Sequence, residues 1–112
     1  MNNDNVELTF DKELRLLDEL QSLLAKQLQL ARQGDSTNER FGVLIDKAGS
    51  LLEEIEQTGI LDSAELQYRR EALRKRYENL CLIVATQKNH RSRELNQIRR
   101  GRKILGTYRS NI

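Results

Sequence analysis

The sequence predicts an all-α fold: an elongated three-helix bundle with coiled-coil-like packing, made of an antiparallel helical hairpin and a long third helix. Three observations predict it. The 112 residues contain no proline and six glycines, and Leu, Glu, Gln, Lys and Arg dominate, a composition that favours long helices. Apolar residues return at alternating three- and four-residue steps, the period of one helix face. Glycines and capping-type residues fall where those rows stop and restart. At this length the chain is expected to form one small domain.

The first helix is expected from about Asp4 to Gln33. Phe10, Leu14, Leu17, Leu24, Leu28 and Ala31 form its main row, with Gln21 in the one gap. A second row, Leu16, Leu20, Leu23 and Leu30, lies beside it, so the helix can contact two neighbours. Gly34 is the expected stop, because glycine accepts the left-handed conformation that ends helices. The second helix is expected from about Thr37 to Thr58, with Ser36 and Glu39 at capping-box spacing. Its row is Phe41, Leu44, Ala48, Leu51 and Ile55, widened by Ile45 and Leu52. Gly42 and Gly49 weaken it, so packing must hold it, and Gly59 ends it.

The third helix is expected to start near Asp62, where Asp62 and Glu65 repeat the capping spacing. Leu66, Leu73, Tyr77, Leu80 and Val84 form its row. With no proline and only Gly101 in the way, it extends to Lys103, about 40 residues or 60 Å. Short loops make consecutive helices antiparallel, so the first helix matches the third only to about His90. The polar interval Thr86–Glu94 marks the same point. Residues 1–90 are then the bundle core, and residues 91–112 a basic amphipathic C-terminal helix that projects. The alternative is a bend near Asn89 with the tail folding back as a fourth short helix.

On a helix, Leu95, Ile98, Leu105 and Tyr108 share one side, with Ile104 at its edge and arginines and lysines around it. The apolar arc suffices for a buried face. Gly101 and Gly106 each cost roughly 1 kcal/mol of helix stability. The segment therefore has a face to bury and a weak helix to hold it.

Charge is unevenly divided. Residues 1–68 carry 6 basic and 14 acidic groups, a net of −8, whereas residues 69–112 carry 13 basic and 3 acidic groups, a net of +10. These fields can attract each other within one bundle or attract a partner. Cys81 stands alone among Leu80, Leu82, Ile83 and Val84 and reads as an inert buried thiol. No apolar run approaches the roughly 20 residues of a membrane span. The acidic N-terminus does not resemble a signal peptide, so a cytoplasmic location is expected.

Catalysis finds little support. His90 is the only histidine and has no nucleophile at a recognisable spacing, and one His with one Cys does not make a metal site. Phosphate-binding glycine motifs are absent. No enzymatic activity, cofactor or metal is expected. Two basic clusters, Arg69, Arg70, Arg74, Lys75 and Arg76, then Arg91, Arg93, Arg99, Arg100, Arg102 and Lys103, raise nucleic-acid binding as the alternative. Against it, Ile98, Ile104, Leu105 and Tyr108 interrupt the second cluster as a coherent apolar face, and no zinc finger, RNP motif or clear helix-turn-helix is present. A membrane-surface helix is a weaker option, since the face lacks tryptophan and phenylalanine.

Helix-in-groove recognition of a protein partner fits the tail best. The partner-binding residues are expected to be Leu95, Ile98, Gly101, Arg102, Ile104, Leu105 and Tyr108. Gly101 would let a partner backbone approach, and the arginines would lie at the rim, favouring an acidic partner. The competing use of the same face is docking on the chain's own bundle, or self-association as a homodimer or structural coiled coil.

The segment Arg93–Arg109, RELNQIRRGRKILGTYR, together with the leucine-rich Leu14–Leu28 and the Leu51, Leu52, Ile55 pattern, resembles flagellar export chaperones of the FlgN and FliT type. The resemblance implies a cytoplasmic chaperone that keeps a filament-type subunit, such as a hook-associated or filament-cap protein, unassembled until type III export. It also implies that the client binds the C-terminal helix. Client helices of that kind expose apolar faces that would otherwise aggregate.

Overall fold

The leucine rows wind into α1 (Asn3–Arg32), α2 (Glu39–Thr58), α3 (Gln67–Ala85) and α4 (Ser92–Gly106). This is a computed structural model that describes residues 3–35, 38–87 and 91–108, with side chains from Phe10 onward. The described residues are all helix, turn and connection. Gly34 and Gly59, with φ of 81° and 77°, adopt the left-handed conformation after α1 and α2 that side chains disfavour. Asn38 caps α2, its side-chain oxygen accepting from the Arg40 N–H at 2.9 Å. Ser36, the cap expected from sequence, lies outside the described residues.

The hydrogen bonds and ion pairs set the topology. Gln27 on α1 donates to the Leu44 carbonyl on α2 at 3.1 Å, fixing the antiparallel hairpin. Arg69 reaches Asp18 at 2.6 Å and Gln87 reaches the Ala31 carbonyl at 2.5 Å, so α3 runs parallel to α1. Arg93 reaches Asp46 at 2.8 Å and Arg100 reaches Glu53 at 3.0 Å, so α4 runs parallel to α2. Each helix has two neighbours: α1 packs on α2 and α3, and α4 packs on α3 and α2. The connection from α2 to α3 therefore crosses the diagonal at one end of the bundle. Two short 3-10 turns, Ile60–Asp62 and Ala64–Leu66, make this crossing. Ile60, Leu61 and Leu66 plug that end, and buried Arg70 donates to the carbonyls of Leu61 and Ser63.

The core runs between the four helices. Leu17, Leu20, Leu24, Leu28 and Ala31 face Phe41, Ile45, Ala48, Leu52 and Ile55, and Leu73, Tyr77, Leu80, Cys81 and Val84 close it from α3. In α1, Leu20 of the second row fills the gap left by Gln21, which is exposed, and Gln27 is buried beside Leu24 and Leu28.

Two expectations are corrected. Asp62 and Glu65 do not cap a helix, because the apolar residues around them are drawn into the end plug and α3 starts only at Gln67. The long third helix is instead two helices, α3 and α4, in a four-helix bundle. α3 tightens at its end, where the Gln87 N–H bonds the Val84 carbonyl three residues back. The chain then returns antiparallel to α3. The bend expected near Asn89, like His90, falls outside the described residues. Folding back removes Leu95, Ile98 and Leu105 from water, each worth roughly 1.5–3 kcal/mol; a projecting helix would forgo all three. The helix that outruns its neighbour is α1. By the register of Gln27 on Leu44, Thr58 falls opposite Glu13, so about three turns of α1 run past the end of α2.

Candidate partner-binding site

α4 carries the residues singled out from sequence, and the structure divides them. Leu95, Ile98 and Leu105 are 5%, 1% and 2% exposed, and Gly101 is buried with them against α3 and α2. Ile104 and Tyr108 are half-buried at the edge of the same stripe, while Arg102 is exposed. The stripe is thus covered by the chain's own bundle. The outer face of α4 presents Ser92, Asn96, Arg99, Arg102 and Lys103.

Gly101 explains how closely α4 sits. A Cβ there would fall 2.6 Å from Cζ and 2.8 Å from Cδ1 of Tyr77, closer than real Cβ contacts allow. The α4 backbone therefore rests directly on the Tyr77 ring. On the other side of α4, near its N-terminus, a Cβ on Gly42 of α2 would lie 3.0 Å from Glu94 Oε1, a local close approach on a seam that opens further along. Glycines on both helices thus make room for close packing.

The α2–α4 seam is the looser side. A cleft of about 210 Å³ opens along it, with Ile45, Leu52, Tyr77 and Ile98 among its apolar lining and Ser50 and Gln97 among its polar lining. The Asp46–Arg93 and Glu53–Arg100 ion pairs bridge the same two helices. All four side chains in those pairs are largely exposed, so they guide more than they hold.

Two polar groups are buried where α4 packs: Tyr77, which stands in the apolar row of α3 as expected, and Glu94 of α4, which no expected row included. Tyr77 is 3% exposed, and its hydroxyl has no hydrogen-bond partner among the described residues. Burial pushes its pKa well above the ordinary tyrosine value. Glu94 is equally buried; Arg91 stands 3.7 Å from its Oε1, and its Oε2 has no partner among the described residues. Glu94 occupies the third position of α4, where the helix N-terminus favours a carboxylate. Its spacing was a usable signal: Glu94, Ile98, Gly101 and Leu105 share one helical row. Cys81 is buried as expected; burial raises its pKa, and Arg102 and Arg99 nearby partly oppose that. Burial also raises Tyr108, helped by Glu56 and Asp62.

Among the described residues no cluster of His, Cys, Asp and Glu is arranged to hold a metal, and no helix is long and apolar enough to cross a membrane. The fold and the stripe define a four-helix bundle whose last helix is amphipathic and basic. No protein-family model, curated protein or solved structure matches this chain.

Proposed function

We propose that this protein is a non-enzymatic cytoplasmic chaperone or adaptor that binds an amphipathic helix of a client. The clients proposed are filament-type flagellar subunits of the hook-associated or filament-cap kind, held unassembled until type III export. The resemblance of the Arg93–Arg109 segment supports the client class. The observation that carries the helix-binding part is the seating of α4: the groove between α2 and α3 already accepts an amphipathic helix, with one seam open.

The buried stripe adds a requirement. Leu95, Ile98, Gly101 and Leu105 meet a client only when α4 leaves its groove. Undocking lowers the apparent affinity in proportion to the fraction of open molecules. Gly101 and Gly106 weaken the free helix, which favours reversible binding.

A cross-link tests this. Gln97 Oε1 lies 3.7 Å from where a Gly49 Cβ would stand. Gly49→Cys with Gln97→Cys, in a Cys81→Ala background, places two thiols across the seam. The purified terminal helix of a hook-associated protein should bind the reduced form and lose at least tenfold in affinity on oxidation. Equal binding by the oxidised form would exclude the stripe; no binding by the wild-type chain to any filament-type subunit would end the chaperone reading.

One observation favours nucleic-acid binding as the second reading. Of the apolar residues that interrupt the basic surface in the sequence, Ile98 and Leu105 are buried and Ile104 and Tyr108 half-buried, while Lys75, Arg99, Arg102 and Lys103 are exposed and without ion pairs among the described residues. Duplex binding whose affinity falls steeply with salt would promote it. Self-association through the stripe, the third reading, also requires α4 to undock.

A further inference from the structure

A second groove lies on the α1–α2 hairpin, sharing only Asp46, which pairs with Arg93 of α4, and Ser50 with the α2–α4 cleft. Leu16, Leu23 and Leu30 stand one heptad apart on α1 and remain half-buried, whereas Leu17, Leu20 and Leu24 fill the core. Leu51 of α2 lies beside them. Together Leu16, Leu23 and Leu51 line a shallow groove of about 510 Å³ between α1 and α2. Glu19, Glu54 and Lys47 border it. Glu19 and Glu54 carry no ion pair among the described residues, and the surrounding residues 1–68 have a net charge of −8.

We propose that this groove docks a helix of another protein, one with leucine-sized side chains seven residues apart and lysine or arginine at its flanks. The apolar lining matches heptad anchors, and the carboxylates match basic flanks. A second copy of the chain fits poorly. Its own α1–α2 face would set acid against acid. Its α4 offers Arg99, Lys103, Ser92 and Asn96 outward, with no large apolar group among them. Its α3 exposes Tyr68 and Leu82 two heptads apart, but the heptad position between them is Lys75, so α3 has no pair of apolar side chains seven residues apart to set against Leu16 and Leu23. The basic occupant also differs from the acidic partner expected for α4, so the two surfaces select different helices.

The probe is a fluorescent helical peptide with leucines at heptad spacing and lysine flanks, titrated with the full chain and read by anisotropy. Its glutamate-flanked counterpart is the control. The lysine peptide should bind at least tenfold more tightly. Leu23→Lys should weaken it at least tenfold. Glu54→Lys and Glu19→Lys, at exposed positions that leave folding intact, should weaken it several-fold and flatten its salt dependence. Glu39→Lys, about four turns from Glu54 on α2, should change little. Equal losses from Glu39→Lys and Glu54→Lys would show unspecific charge attraction and overturn the proposal. So would equal binding of the two peptides, or a dimer of the free chain that Leu23→Lys dissolves, which would assign the groove to a second copy.

Discussion

Tyr77 shows how one atom shapes the stability of the bundle. Its ring supports the α4 backbone at Gly101, while its hydroxyl is buried without a partner among the described residues. A buried hydroxyl left unsatisfied costs about 1–3 kcal/mol. Tyr77→Phe keeps the ring and should therefore stabilise the protein at pH 7 by about 1 kcal/mol, read from urea denaturation. The pH dependence has a definite sign. Burial raises the Tyr77 pKa, so above about pH 10 the unfolded chain ionises while the folded one keeps its proton. Stability contributed by this group is complete below that pH and falls above it, by about 1.4 kcal/mol per pH unit. Tyr77→Phe should lose correspondingly less stability between pH 9 and pH 11; equal losses in the two proteins would contradict the burial of the hydroxyl. Tyr77 was legible as a member of the α3 row, whereas the burial of Glu94 and Gln27 was not. Each stands at a helical spacing from core residues, but periodicity cannot say whether a polar residue in a row faces the interior.

The helices differ in what holds them. α1 and α2 are fixed by continuous apolar rows and sharp glycine stops, and those stretches read directly from sequence. α4 depends on contact. Its two glycines look alike in the sequence and differ in the structure: Gly101 touches Tyr77, whereas a Cβ on Gly106 would meet nothing within 4 Å. Gly106→Ala should stabilise the protein by up to about 1 kcal/mol through helix propensity. Gly101→Ala gains the same propensity but drives a methyl group into a fixed ring, and should destabilise by about 1–3 kcal/mol net. Thermal melts of the two variants should shift in opposite directions. Gly101 was expected to admit a partner's backbone, and the close approach it permits is to the chain's own α3. The break between α3 and α4 was legible only as the alternative to a projecting helix, through the polar interval from Thr86, since no proline or glycine marks residues 86–91. It arises where a polar interval offers a helix nothing to pack on.

At the scale of the molecule, the uneven charge becomes an attraction between two hairpins. The acidic α1–α2 pair and the basic α3–α4 pair meet through Asp18–Arg69, Asp46–Arg93 and Glu53–Arg100. These are exposed contacts, so salt should screen them. Raising KCl from about 0.05 to 0.5 M should lower the urea midpoint by a few tenths of a molar. A midpoint that rises with salt would show that repulsion within each hairpin outweighs attraction between them. The contacts also leave much of the charge unspent, with Glu19 and Glu54 on one side and Arg99, Arg102 and Lys103 on the other. That remainder is what a partner would meet.

The sequence by itself determined the helical class, the α1–α2 hairpin with its glycine stops, the burial of Cys81 and the amphipathic character of the tail. These follow from local periodicity and conformational preference. Only the tertiary structure decided where the tail packs, which of its glycines is in contact, and which leucines remain at the surface. The reason is physical: an apolar stripe specifies that it will be buried but not against what. Here the nearest apolar surface is the groove between α2 and α3, and α4 fills it.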